Sequence, residues 1–417
     1  MTATAHLGRR RLKQGELDVA LTAHERFLTG KPGGRRAMLK FLDLSGLNLA
    51  KRKLDDADFT GSLFDGACLI LCSLQRATLF GCDLRNADLR RADLTRADLR
   101  GVCLRGANLS LADLTKADFR EGQISVPHPR KGLDSMRHEV RAGDLDQVNF
   151  SGARLDGSQF DGASAFKADF TDCSMRGTRL TGANLKEANL AGANLEGAHV
   201  GGANLEGACL SGAVLTGVDV KTARLDRADL SGCVLAPSEE ALAKVDELLA
   251  RAQAGQAWVT SGGKSGVPAI LDGEDLRPVG ARLAGFKLTA MSARRANLVN
   301  VDLTGASLQG ANFEGADMRG VCLRNADLRG VRLQGANLTK ADLTGADMGP
   351  LPLAAGRSLP SNAPGVRMRY ANARGARFEG ANLHAADLNG ADLTGANFAG
   401  ADLRDASVAS AVGFQVG

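Results

Sequence analysis

From Leu44 onward every fifth residue of this chain is large and apolar, and no other feature limits its possible folds as much. The series runs Leu49, Leu54, Phe59, Phe64, Leu69, Leu74, Leu79, Leu84 and on to Phe119, sixteen positions in register. Two residues before most of them stands a small one (Ala57, Ala67, Cys72, Ala77, Cys82, Ala87, Ala92, Ala97). Between the two lies Asp or Asn, as at Asp88, Asp93, Asp98 and Asn108. Such a period fits neither a helix, at about 3.6 residues, nor a strand, at about 2. It fits a chain that turns a corner at each repeat and buries one large and one small side chain per side. Four sides close a square coil, and coils then stack at the strand spacing of about 4.8 Å.

Composition agrees with an elongated array better than with several compact domains. Gly is 51 of 417 residues, and the 44% apolar share is carried by Ala and Leu, with one Trp and one Tyr. Successive segments follow from the register: an N-terminal arm and helix over 1–36, block one over 37–122, an insertion over 123–144 and block two over 145–235. A second helical segment follows over 236–282, then block three over 283–348, a Pro-rich loop over 349–367 and block four over 368–417. Ala165 and Ala293 occupy central positions and predict thin places in the core.

These repeats make the chain resemble the pentapeptide-repeat family, and the resemblance covers most of its length. It implies an all-β fold, a right-handed quadrilateral β-helix. Here the helix is expected in two lobes, each preceded by a capping helix. The end of a β-helix exposes unpaired backbone and bare core, which a cap would cover. Ser238 can N-cap one helix, ending near Gly255, with Trp258 as an aromatic plug; Leu17, Ala20 and Leu21 mark the other, with Phe27 as its plug. No such cap follows Val408, so the C-terminal end is the candidate homodimer interface.

The insertions are the least regular parts. Pro127 and Pro129 argue against a regular ladder in the first, which reads as a protruding loop; Pro350, Pro352, Pro360 and Pro364 mark the second. His128 and His138 share the first with Asp134 and Glu139, without metal-ligand spacing, and read as solvated loop residues. Gly262-Gly263-Lys264-Ser265 lacks the strand before and helix after that a phosphate loop needs, and reads as a turn. Cys72, Cys82, Cys173 and Cys233 replace the inward Ala; Cys68, Cys103, Cys209 and Cys322 fall on the outward position. No nucleophile stands beside a base, so neither catalysis nor a cofactor is indicated.

The outward Asp and Asn suit turn hydrogen bonding. Arg85 stands one coil below Arg105, and Arg100 one coil below Arg120; Arg90, Arg91 and Arg96 join them. With His128, Arg130, Lys131, Arg137 and His138 of the insertion they are the candidate interaction residues. Charge is balanced, 52 basic against 47 acidic side chains, so no nucleic-acid partner is demanded. No stretch is apolar enough to span a membrane, and the basic N-terminus lacks the apolar run of a signal peptide, which places the protein in the cytoplasm.

The function expected is a non-enzymatic scaffold that engages a protein partner through its faces and loops. The alternative comes from the resemblance: well-known relatives imitate B-form DNA and bind DNA gyrase, protecting it from quinolones. A duplex mimic should be strongly acidic. Only block two leans that way, with 11 acidic and 8 basic groups over 145–235.

Overall fold

The computed structural model describes residues 9–128 and 132–414, without the side chains of 124–128, 132–138 and 355. It divides into two compact units, Met1–Ala236 and Pro237–Gly417. In both, within the regular blocks, the outward residue before a central Leu or Phe pairs in parallel with its counterpart on the next coil, twenty residues on, as Asp83 with Cys103 and Asp317 with Asn337.

The backbone amides explain the repeat. Around Leu94, the Asp93 N–H reaches back one coil to the Cys72 carbonyl at 2.8 Å, and the Leu94 N–H reaches forward to Asp113 at 2.7 Å. The Arg96 N–H also reaches forward, to Thr115 at 2.9 Å, while the Ala92 N–H closes the preceding turn on Leu89 at 3.0 Å. Only the Thr95 N–H lacks a backbone partner, and Asp93 Oδ1 accepts it at 3.0 Å. All five donors of the repeat are thereby satisfied, which is why Asp or Asn stands before the central residue. The corner residue adopts positive φ, 59° at Arg96 and 62° at Gly81.

In the first unit the chain enters through β1 (Arg10–Arg11) and α1 (Gln14–Leu28). β1 pairs in parallel with β2 (Leu42–Asp43) on the first coil. Leu17 and Leu21 of α1 are fully buried in the same core as Leu39, Leu44 and the central residues through Leu215. Phe27 is not a plug: it is 45% exposed, and His24, one turn earlier, takes the buried position. Phe119, Phe150, Phe160 and Phe170 pack as stacked and edge-on pairs, the Phe150 and Phe170 rings 5.0 Å apart. Ala165 is buried in the same core.

The first insertion is a β-hairpin, β3 (Gly122–His128) against β4 (Gly132–Arg141), antiparallel. Pro127 does not prevent the ladder: it pairs with Met136, and the register shifts immediately after it. Coil pairing resumes across the insertion, Cys103 with Asp144, so blocks one and two form one continuous stack.

In the second unit, α2 (Glu239–Ala243) begins with the Ser238 hydroxyl accepting the Ala241 amide at 3.2 Å. α3 (Val245–Thr260) follows and does not end at Gly255. Gly255 is buried instead, where an added Cβ would stand 2.9 Å from the Ala269 Cβ; glycine serves close packing there. Trp258 is therefore a half-buried residue of the last helical turn. Coiling starts earlier than 283, at Ile270, which pairs with Ser292. The first coil is lengthened by 3₁₀ turns over Arg277–Leu283, kinked at Gly280, whose φ is 60°.

The second insertion holds a short hairpin, β5 (Leu351–Pro352) against β6 (Ser358–Leu359). The coil resumes by Asn362, paired with Arg332, earlier than the expected 368. At the end of the chain Phe414 packs edge-on against Phe398, with ring centres 5.5 Å apart. Among the described residues no helix is long and apolar enough to cross a membrane.

Candidate functional site

The outward Arg residues of block one stand in ion pairs set by the strand. In an extended segment residues two apart point to the same side, so Asp83-Leu84-Arg85 places carboxylate and guanidinium together. Asp83 Oδ2 takes Arg85 Nη2 at 2.6 Å, and the pairing repeats at Asp88–Arg90, Asp98–Arg100 and Asp118–Arg120. Arg105 turns across the insertion point to Asp144 at 3.1 Å and Asp146 at 3.3 Å. Hydrogen bonding to Asp83 holds the Arg85 guanidinium above its ordinary range. Arg91 and Arg96 are corner residues, with φ of 58° and 59°; Arg96 is exposed and Arg91 half-buried. The second unit uses the same clasp at Asp275–Arg277, Asp317–Arg319, Asp327–Arg329 and Asp402–Arg404.

At several positions where Ser replaces the outward Asp, a carboxylate on the coil before takes over. Asp146 Oδ1 accepts the Ser164 hydroxyl at 2.6 Å and the Phe166 amide at 3.0 Å; Asp156 does the same for Ser174 and Arg176. These carboxylates are structural acceptors.

The inward cysteines also bond to backbone. Cys72 Sγ donates to the Leu49 carbonyl at 2.7 Å, Cys82 to Phe59 at 3.0 Å and Cys173 to Phe150 at 2.9 Å. The buried hydroxyls of Ser62 and Thr178 reach the corresponding carbonyls of Leu39 and Leu155. Burial pushes the Cys72 and Cys82 thiols up to about 12, which makes them unreactive at neutral pH. Among the described residues no His, Cys, Asp and Glu group could hold a metal ion.

The β3–β4 hairpin is anchored at its base. Gly122 packs against the Phe80 ring so closely that a Cβ would stand 2.7 Å away, and the Arg100 guanidinium lies 5.3 Å from the centre of that ring. Arg141 binds Glu139 across one residue at 2.9 Å. Arg130 and Lys131 lie outside the described residues, as do the side chains of His128, Arg137 and His138. The structure brings the hairpin base together with Phe80 and Arg100 of the coil face. Sequence reasoning missed that contact, since it joins residues far apart in the chain. It also missed His24, whose position on α1 two turns after Leu17 was a usable signal.

The sequence matches the family profile described as pentapeptide repeats in eight copies, within 72–125, 144–221, 281–349 and 367–405. The chain belongs to the pentapeptide-repeat family. Proteins of this family fold as right-handed quadrilateral β-helices, the architecture built by the ladders above. Among solved pentapeptide-repeat proteins, it is 33% identical to Rfr23 from the cyanobacterium Cyanothece 51142, covering 33% of this chain and 86% of that one, with a TM-score of 0.23. It is 19% identical to HetL, involved in heterocyst differentiation regulation in Nostoc sp. strain PCC 7120, covering 95% of this chain and 94% of HetL, with a TM-score of 0.16. It is 20% identical to QnrB1, a plasmid-mediated fluoroquinolone resistance protein, covering 50% of this pentapeptide-repeat protein and 99% of QnrB1, with a TM-score of 0.21. No curated protein matches the sequence.

Proposed function

We propose that this pentapeptide-repeat protein is a non-enzymatic scaffold of the cytoplasm that engages a protein partner through the β3–β4 hairpin and the coil face beneath it. The observation that supports this reading is the hairpin itself. Strands of seven and ten residues leave a coil stack that pairs unbroken across the insertion, so the hairpin is not needed to complete the ladder. An element that a rigid scaffold presents without needing it for closure is suited to recognition. The helices α1 and α2–α3 act in this reading as caps that keep the ends of the coil stacks from pairing with other chains.

The test is a comparison of crosslinked partners of the full chain with those of a variant in which residues 122–141 are replaced by a short turn. Loss of a reproducible partner with the hairpin supports the proposal. An unchanged set removes the hairpin from it. End-to-end self-association through the last coil belongs to the same reading. A monomeric mass by light scattering at high concentration would remove that part.

Gyrase binding by imitation of a duplex is the second reading, favoured by the acidic excess of 145–235. Against it, the carboxylates of Asp83, Asp88, Asp98 and Asp118 are each met by an Arg of the same strand. A supercoiling assay with and without a quinolone decides: inhibition or protection at low protein excess establishes the class, and no effect at large excess excludes it for that gyrase.

A further inference from the structure

We propose that His24 is an acid-sensitive latch that holds α1 on the first coil, and that protonating its ring frees the helix and uncovers the apolar end of the stack. The inference rests on the reading of α1 as a cap.

His24 has no exposed surface. Its Nδ1 accepts the backbone amide of Ala37 at 3.1 Å, and its Nε2 lies 3.0 Å from the backbone carbonyl of Asp55. An amide N–H can only donate and a carbonyl can only accept, so the ring carries its single proton on Nε2. This neutral tautomer satisfies both partners. The imidazolium would set a second N–H against the amide of Ala37, leaving two donors opposed in a buried place. Ala37 stands at the entry to the first coil and Asp55 on its fourth side, so one ring ties the helix to the coil at two points, alongside Gln14, which donates to the Asn48 carbonyl at 2.8 Å and accepts its amide at 2.9 Å, and Glu25, which accepts Arg52 Nε at 2.9 Å. Leu17 and Leu21, on the same helix face, are held only by apolar packing against the coil core.

The charged groups facing the ring are the Asp55 and Asp56 carboxylates, which favour protonation, and the Arg36 guanidinium, which opposes it. Both carboxylates are already engaged, Asp56 by Arg76 at 2.7 Å and Asp55 by the Gln75 amide at 3.0 Å. Burial is the largest influence and pushes the ring below its ordinary value of 6.5. The released helix binds the proton more readily than the docked one. The latch is therefore at full strength above 6.5 and weakens as pH falls below that value. The helices α2 and α3 contain no His and serve as an internal control.

The experiment is hydrogen exchange on the full chain, corrected for intrinsic rates, at about pH 7.5 and about pH 5.5. The expected result is an opening of α1 that rises by up to about tenfold per pH unit below the free value, with α2–α3 unchanged. Equal protection of α1 at both pH values, or equal loss in α1 and α2–α3, overturns the proposal. His24→Asn keeps a side-chain acceptor without a titrating group, and its α1 should show no such pH dependence. A variant that retains the dependence also overturns it. Should the variant release α1 at every pH, NMR titration of ring-labelled His24 in the unaltered chain decides. A pKa below 6.5 supports the latch, and one at or above 6.5 sinks it.

Discussion

Asp327 holds Arg329 at three points: Oδ1 accepts its backbone amide at 3.2 Å and its Nε at 2.9 Å, and Oδ2 accepts its Nη2 at 2.6 Å. One carboxylate thus supplies the repeat's missing acceptor and neutralises the neighbouring guanidinium. Asp327→Ala removes both and is expected to cost about 1–3 kcal/mol in denaturant unfolding. Asp327→Asn keeps the acceptor, as Asn337 does naturally for the Thr339 amide, and should cost less. Equal losses in the two variants would show that the acceptor is not what matters.

Corner residues with positive φ predict a gain. Leu71 and Arg96 have φ of 58° and 59°, a region that costs a side-chain-bearing residue about 1–2 kcal/mol. Leu71→Gly and Arg96→Gly should leave stability unchanged or raise it by up to about 1 kcal/mol, offset by the greater freedom of glycine when unfolded. A clear loss on Arg96→Gly would mean that its side chain makes a contact worth more than the strain.

Two glycines separate strain from contact. Gly335 has φ of 64° and nothing within 4 Å of an added Cβ, whereas at Gly330 that Cβ would meet the Leu351 Cβ at 2.9 Å. Gly335→Ala should cost about 1 kcal/mol for the backbone alone. Gly330→Ala should cost more and lift the β5–β6 hairpin, seen as faster exchange over 351–359. Identical costs would show that the hairpin yields freely.

Acid should act in two separable stages. Asp302, hydrogen-bonded by the Thr304 hydroxyl and amide, and Asp56, clasped by Arg76, are held below the usual carboxylate value of 3.8. Their stabilisation is complete above 3.8 and is lost as pH falls through their lowered folded values. Unfolding of the coils should therefore begin well below the pH at which His24 releases α1. Circular dichroism followed alongside α1 exchange checks this, and a single common transition would contradict it.

Ala165 is buried in the core between the successive central positions of Phe160 and Phe170. Ala165→Leu is expected to overpack the core and destabilise by about 1–3 kcal/mol. A stabilised variant would reveal a cavity at this level.

The coil was legible in the sequence because the period is a local property. Each repeat closes its own turn and buries its own Leu or Phe, so five residues carry the information and register carries it onward. The inward Cys and the acceptor role of Asp and Asn follow from the same arithmetic. The Asp-x-Arg clasp was legible too, since residues two apart in a strand face the same way.

What the sequence did not decide lies where the period stops. The hairpin character of 122–141, with Pro127 tolerated inside a strand, depends on pairing with a second segment that no local rule specifies. The exposure of Phe27 and the burial of His24 depend on which face of α1 meets the coil. Gly255 looked like a helix end until Ala269 was found against it. Repetition fixes contacts between identical neighbours, and these places bring together segments that are neither adjacent nor alike, so only the folded chain settles them.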